Sequence, residues 1–227
     1  MVRRYLNALG ALLLLAAFTP AMAQYYYQGS ADRPLQWQIE GGTGITEGTT
    51  ANYLDNGWTL GGGVSWFPSP ATPLGLRLDA SYSQFGATGN LINLGSDATE
   101  TQIDAGVGRV WGADLDAEID LPLSAYVRPY LLGGIGVYQR QVELYQTAFG
   151  GGPYCDPWFG FCGGGFFPAN APIARTTTNG EFSWNAGAGI AMPLGGGMSW
   201  FVEARFRQIG PPDERTAFWP ITVGLRF

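Results

Sequence analysis

The sequence predicts an all-β fold: an eight-stranded antiparallel up-and-down transmembrane β-barrel with four extracellular loops and short periplasmic turns. Three observations lead there. Strict period-two alternation of apolar and polar residues recurs along the whole chain, as strands and not helices require. The connections between these segments alternate between short and long. Charged side chains keep to one face of each segment, and large apolar side chains to the other.

The first 23 residues read as a removable leader rather than as fold. Arg3 and Arg4 begin it, Leu6 to Phe18 is mostly apolar, and Ala21-Met22-Ala23 is a small-x-small cleavage site. The apolar run is shorter than the roughly 20 residues a spanning helix needs. Residues 24–34 then form a periplasmic lead-in, and residues 35–227 the barrel domain. Losing Arg3 and Arg4 takes the formal charge from −6 to −8, which argues against nucleic-acid binding. Mean hydropathy is +0.01. That suggests a soluble protein only until one considers that a membrane barrel averages lipid-facing against lumen-facing residues.

The segments come in order. The first four are LQWQIEGG (35–42), GWTLGGGVSWF (57–67), LGLRLDASYS (74–83) and TETQIDAGVGRVW (99–111). The second four are YVRPYLLGGIGVYQRQVELY (126–145), EFSWNAGAGIAM (181–192), MSWFVEARFRQ (198–208) and FWPITVGLRF (218–227). An even count suits single-chain bacterial barrels, whose tilted strands need about 9–11 residues to cross. Residues 68–73 and 194–197 are tight turns. Residues 46–56, 86–98, 147–180 and 209–217 are longer loops on the opposite side. Residues 112–125 break the rule as a long periplasmic turn.

One face carries Glu40, Arg77, Asp79, Asp104, Arg128, Glu203, Arg205, Arg207 and Arg226, together with many Gly and Ser. Acids and bases nearly balance there, which points to a paired network in a lumen just wide enough for side chains. A soluble lipocalin-like barrel would show the reverse, with an apolar calyx inside and charges outside. Two aromatic girdles fit the membrane reading. Trp58, Phe182, Trp184 and Trp219 form the outer one, and Trp66, Trp111, Trp200 and Phe227 the inner one. Arg109 is the misfit, because the alternation puts it on the lipid face, where it either snorkels or marks a bulge.

The chain contains no Lys and no His, so a Ser or Cys nucleophile lacks its usual base and a Walker A loop lacks its lysine. A carboxylate pair among Asp79, Asp104 and Glu203 is conceivable, but the arginines on the same face favour structural pairing. No catalytic residue, cofactor or metal ligand is expected. Asp114, Asp116, Glu118 and Asp120 alternate and could offer oxygen ligands to Ca²⁺. A solvated acidic periplasmic turn is the preferred reading. Zinc is excluded, since two Cys without His cannot supply four ligands. Cys155 and Cys162 flank DPWFGF in the longest loop and read as a disulfide in an exported protein. Tyr154, Trp158, Phe159, Phe161, Phe166 and Phe167 crowd that loop, as a contact surface or as a cap on the barrel mouth.

RPYLLGGIGVY, GWTLGGGVSWF and the terminal VGLRF resemble the small eight-stranded outer-membrane barrels of the OmpA/OmpX-like family over about residues 35–227. The resemblance implies residence in the outer membrane of a Gram-negative bacterium, among outer-membrane lipid and lipopolysaccharide. It also implies that Val223, Leu225 and Phe227 form the signal read by the barrel-assembly machinery. No peptidoglycan-binding module is expected after the barrel. The function expected is non-enzymatic, by a monomer: envelope-structural, or surface-binding in the manner of an adhesin through an unknown ligand of loop 147–180. A small-solute pore is the alternative.

Overall fold

The computed structural model of the chain describes residues 34–69, 72–100, 102–121, 127–155, 162–211 and 214–227. Within these, side chains are described except at 147–155, 162–173 and 195. The strands among them are β1 (Leu35–Thr46), β2 (Leu54–Trp66), β3 (Leu74–Ala87), β4 (Ala105–Asp120), β5 (Arg128–Cys155), β6 (Cys162–Thr177), β7 (Glu181–Gly195), β8 (Met198–Ile209) and β9 (Thr216–Arg226). Among the described residues one α-helix, α1 (Gly89–Thr99), joins β3 to β4, and a single 3-10 turn (Thr50–Asn52) lies between β1 and β2.

Eight of these strands close into a barrel in the order β1, β2, β3, β4, β5, β7, β8, β9, every neighbouring pair antiparallel. Closure is made by β9 on β1, from Gln38 opposite Arg226 to Thr46 opposite Phe218. A sheet left open in lipid would expose unpaired N–H and C=O groups at several kcal/mol each, so a membrane sheet must close. The ninth strand, β6, stands outside this ring. It pairs with the distal part of β5, from Gln141 opposite Thr177 to Cys155 opposite Cys162. Much of the stretch 147–180, expected as a loop, is therefore a two-stranded extension of the barrel wall.

The fourth strand departs most from expectation. It runs from Ala105 to Asp120, not from 99 to 111, and pairs along its length with β3 and β5. Residues 112–120 are thus wall and not turn. The pattern behind this is Ala113, Leu115, Ala117 and Ile119 facing out while Asp114, Asp116 and Glu118 face in. Alternating carboxylates look solvated in a sequence; here they are buried. The correction also moves Trp111 from the inner girdle to the outer one, since it pairs with Tyr82 and Gln139 in mid-strand.

The outer face carries a broad apolar band that ends in polar side chains toward the long-loop end. Leu60, Leu76, Leu78, Leu115, Leu131, Ile135 and Val223 are each about half exposed, a surface that suits lipid and not water. Trp58 packs on Tyr82 (ring centroids 5.3 Å apart), and Trp184, Phe206 and Trp219 stack in sequence at 5.2 and 5.3 Å. These rings lie toward the long-loop end of the wall. Trp37, Trp66, Trp200 and Phe227 lie toward the short-turn end, which in bacterial barrels is periplasmic.

Candidate functional site: the sealed lumen

The inward positions of β1, β3, β4, β8 and β9 bring ten ionisable side chains together. Six are carboxylates (Glu40, Asp79, Asp114, Asp116, Glu118, Glu203) and four are guanidiniums (Arg77, Arg205, Arg207, Arg226). Arg77 is 0% exposed, Asp114 and Asp116 are 1%, and Glu203 and Arg205 are 2%. All but Glu40 have side chains at most 5% exposed, and Arg226 also borders the periplasmic mouth.

Arg77 and Arg205 form the centre. Arg77 reaches Asp79 through Nε at 2.7 Å and Glu203 through Nη1 at 2.7 Å. Arg205 donates to Glu203 at 2.7 Å, to Asp79 at 3.0 Å and to Asp116 at 3.0 Å. The fork of five donors on each guanidinium lets one arginine satisfy carboxylates from several strands. Neutral groups complete the set. Gln38 donates to Asp79 (2.8 Å), Asn185 to Asp116 (2.8 Å) and the Tyr130 hydroxyl to Glu203 (2.9 Å).

Above and below this layer the lumen is aromatic. On the long-loop side Leu54, Phe85, Val110, Tyr138, Ile209 and Phe218 pack together, with Phe85 edge-on to Phe218 at 5.1 Å. On the periplasmic side Tyr130, Leu132, Ala191 and Phe201 do the same. Arg207 and Arg226 join the layers. Arg207 holds Asp114 and lies 4.6 Å over the Tyr138 ring, while Arg226 holds Glu118 at 2.7 Å and lies 5.0 Å over Tyr130. The ring faces stabilise cationic surface that lacks further carboxylates. Glycine makes room for these rings. A Cβ at Gly189 would come within 2.3 Å of Tyr130, and one at Gly224 within 2.4 Å of Phe201.

Seven of the nine charges expected to line the lumen lie in it: Glu40, Arg77, Asp79, Glu203, Arg205, Arg207 and Arg226. Two do not. Asp104 precedes β4, is exposed at the long-loop end, and accepts from Gln102 at 3.3 Å. Arg128 is half-buried at the periplasmic mouth, where it lines a cavity of about 80 Å³ with Asp120 and Arg226. Both stand beyond the two aromatic layers that enclose the network. Asp114, Asp116 and Glu118 were missed because their partners, Arg205, Arg207 and Arg226, lie roughly 90 to 110 residues away in the chain.

Val223, Leu225 and Phe227 face outward at 55%, 37% and 42% exposure. The register sets Cys155 opposite Cys162. Their side chains lie outside the described residues, as do those of Tyr154, Phe166 and Phe167; Trp158, Phe159 and Phe161 lie outside them altogether.

A closed sheet that is apolar outside, belted by aromatics and filled with paired charge defines an integral membrane β-barrel. The chain belongs to the family described as "Outer membrane protein beta-barrel domain", whose profile matches residues 9–227, and it is thus an outer-membrane barrel protein. None of the curated protein sequences matches it. Among solved structures it is similar to Neisserial surface protein A (NspA), at 9% identity and a TM-score of 0.52, covering 86% of this chain and 96% of that one. It is also similar to a major outer membrane protein from Thermus thermophilus (14%, TM-score 0.49, covering 86% and 99%). Ail, the attachment invasion locus protein of Yersinia pestis, is a third (13%, TM-score 0.44, covering 86% and 100%).

Proposed function

We propose that this protein is a non-enzymatic, monomeric barrel of the Gram-negative outer membrane that contributes to envelope structure and presents a binding surface outside the cell. Its leader, residues 1–23, is cleaved on export. The barrel-assembly machinery reads Val223, Leu225 and Phe227, and the mature barrel sits among outer-membrane lipid and lipopolysaccharide. The long β5–β6 extension, with its aromatics and the Cys155–Cys162 disulfide, is the surface that meets a ligand.

The observation that carries the non-conducting, non-catalytic reading is the lumen itself. Its charged layer is 0–3% exposed at Arg77, Asp79, Glu203 and Arg205 and lies between two aromatic layers. Every carboxylate in that layer is held by an arginine within 3.8 Å, which leaves no site for a substrate or a file of water. Planar-bilayer recording of the full-length protein tests it. The wild-type barrel should be nearly silent; steady, large currents would make it a porin. Fractionation tests the location, since the protein should sediment with outer membranes and run heat-modifiably on gels.

A further inference from the structure

Arg109 is outward-facing, yet it is not stranded in hydrocarbon. It lies two residues toward the long-loop end from Trp111, about 7 Å along the strand, and so just beyond the outer aromatic belt. Cross-strand pairing places Gln84 and Gln141 on either side of it. Farther out, Glu143 of β5 faces Arg175 of β6. All five occupy the wall's outer face, where an apolar band gives way abruptly to polar side chains.

Glu143 is the hub of this group. It pairs with Arg109 at 2.5 Å and Arg175 at 3.3 Å, and it accepts from Gln141 and from the Tyr145 hydroxyl. Among the described residues it is the only carboxylate within 4 Å of either arginine. Two guanidiniums therefore share one carboxylate, and the patch keeps a net positive charge. Arg175 has 63% of its side chain exposed, and Arg109 28%. Belt aromatics mark headgroup depth in a bilayer, so the molecules that meet an outward face just beyond them are the headgroups of outer-leaflet lipid. An arginine fork binds phosphate in a bidentate, charge-assisted way that a neutral headgroup cannot reproduce.

We propose that Arg109 and Arg175 form a binding site for the phosphate of a phosphorylated glycolipid of the outer leaflet. Glu143 bridges the two guanidiniums and competes with the phosphate for them. The site rests on the outer-membrane placement argued above, and it is separate from the lumen.

The test uses the full-length barrel in nanodiscs containing a diphosphorylated, acylated glucosamine disaccharide or its dephosphorylated form. Lipid retained after delipidation is counted by native mass spectrometry. The wild-type protein should retain the phosphorylated form about tenfold better, the scale of one charge-assisted contact. Arg175→Gln and Arg109→Gln/Arg175→Gln should abolish that preference, while Glu143→Gln, which removes the competing negative charge, should increase it. Equal retention of the two lipids by wild type would overturn the proposal. So would an unchanged preference in Arg175→Gln, whose exposed side chain is not needed for folding and whose fold heat-modifiable mobility verifies. A merely structural Arg109–Glu143 pair predicts that Glu143→Gln lowers stability without raising retention, and that result also overturns it. Failure of the placement would instead appear as loss of outer-membrane sedimentation in the wild-type protein, whatever the lipid result.

Discussion

At the residue scale, Glu203 carries the most. Its carboxylate receives Arg77, Arg205 and the Tyr130 hydroxyl at 2% exposure, so it neutralises the centre of the lumen. Removing it leaves two guanidiniums that cannot deprotonate inside a closed barrel. Glu203→Ala should cost about 3 to 5 kcal/mol, as breaking a buried pair does, measured by urea unfolding in lipid vesicles. A loss below about 1 kcal/mol would show that water already reaches the network. Where the variant still folds, it should open brief, small conductances. Those should favour cations, because five carboxylates would still face four arginines. Gly189 makes a second residue-scale case. A Cβ at Gly189 would stand 2.3 Å from the Tyr130 ring, so Gly189→Ala overpacks the periplasmic aromatic layer and should cost about 1 to 3 kcal/mol in the same assay.

At the element scale, each strand is a boundary between lipid and lumen, and the two faces should respond to one substitution by different physics. Ile190 on β7 and Val202 on β8 are cross-strand partners on the outer face, 44% and 38% exposed. Arginine at either, near the bilayer midplane, should cost about 2 to 4 kcal/mol through desolvation. At Gly187 the limit is volume, because even a Cβ would meet the Ala204 carbonyl oxygen at 2.7 Å. At Ser199, half-buried near the periplasmic mouth, the same arginine should be the mildest of the four. Equal effects at Ile190 and Ser199 would mean the assignment of the two faces is wrong. The β5–β6 element is tested through its cysteines. Cross-strand placement of Cys155 and Cys162 leads us to expect a disulfide that blocks thiol labelling until reductant is added and stabilises the extension by about 2 to 3 kcal/mol. Immediate labelling of both thiols in the native protein would refute it.

At the scale of the whole molecule, closure of β9 on β1 leaves the eight-stranded ring without a free edge and makes the barrel one cooperative unit. The outward set Val223, Leu225 and Phe227 lies at the end of β9 and is the proposed assembly signal. Deleting Phe227 should lower the inserted fraction in cells and increase periplasmic degradation, read by surface labelling and heat-modifiable mobility. Surface levels equal to wild type would remove the signal from this strand.

Period two is a local property, and so the all-β class, the lipid face and most strand cores could be read from residues such as Leu74, Leu76 and Leu78 against Gly75, Arg77 and Asp79. The absence of Lys and His narrowed the chemistry in the same local way. Partnership is not local. Asp114 is a solvated acid or a buried one according to whether Arg207, far along the chain, is brought across the barrel to meet it. That depends on the register of β4 and on closure of the sheet. The same holds for Arg109, a liability beside Trp111 in the sequence and a paired headgroup-level cation once β5 sets Glu143 within 2.5 Å. Sequence alternation therefore determined which way the side chains point in most strands, but not in residues 112–120. Only the tertiary structure decided what each meets there, because burial becomes favourable for a charge only when its counter-charge arrives from another strand.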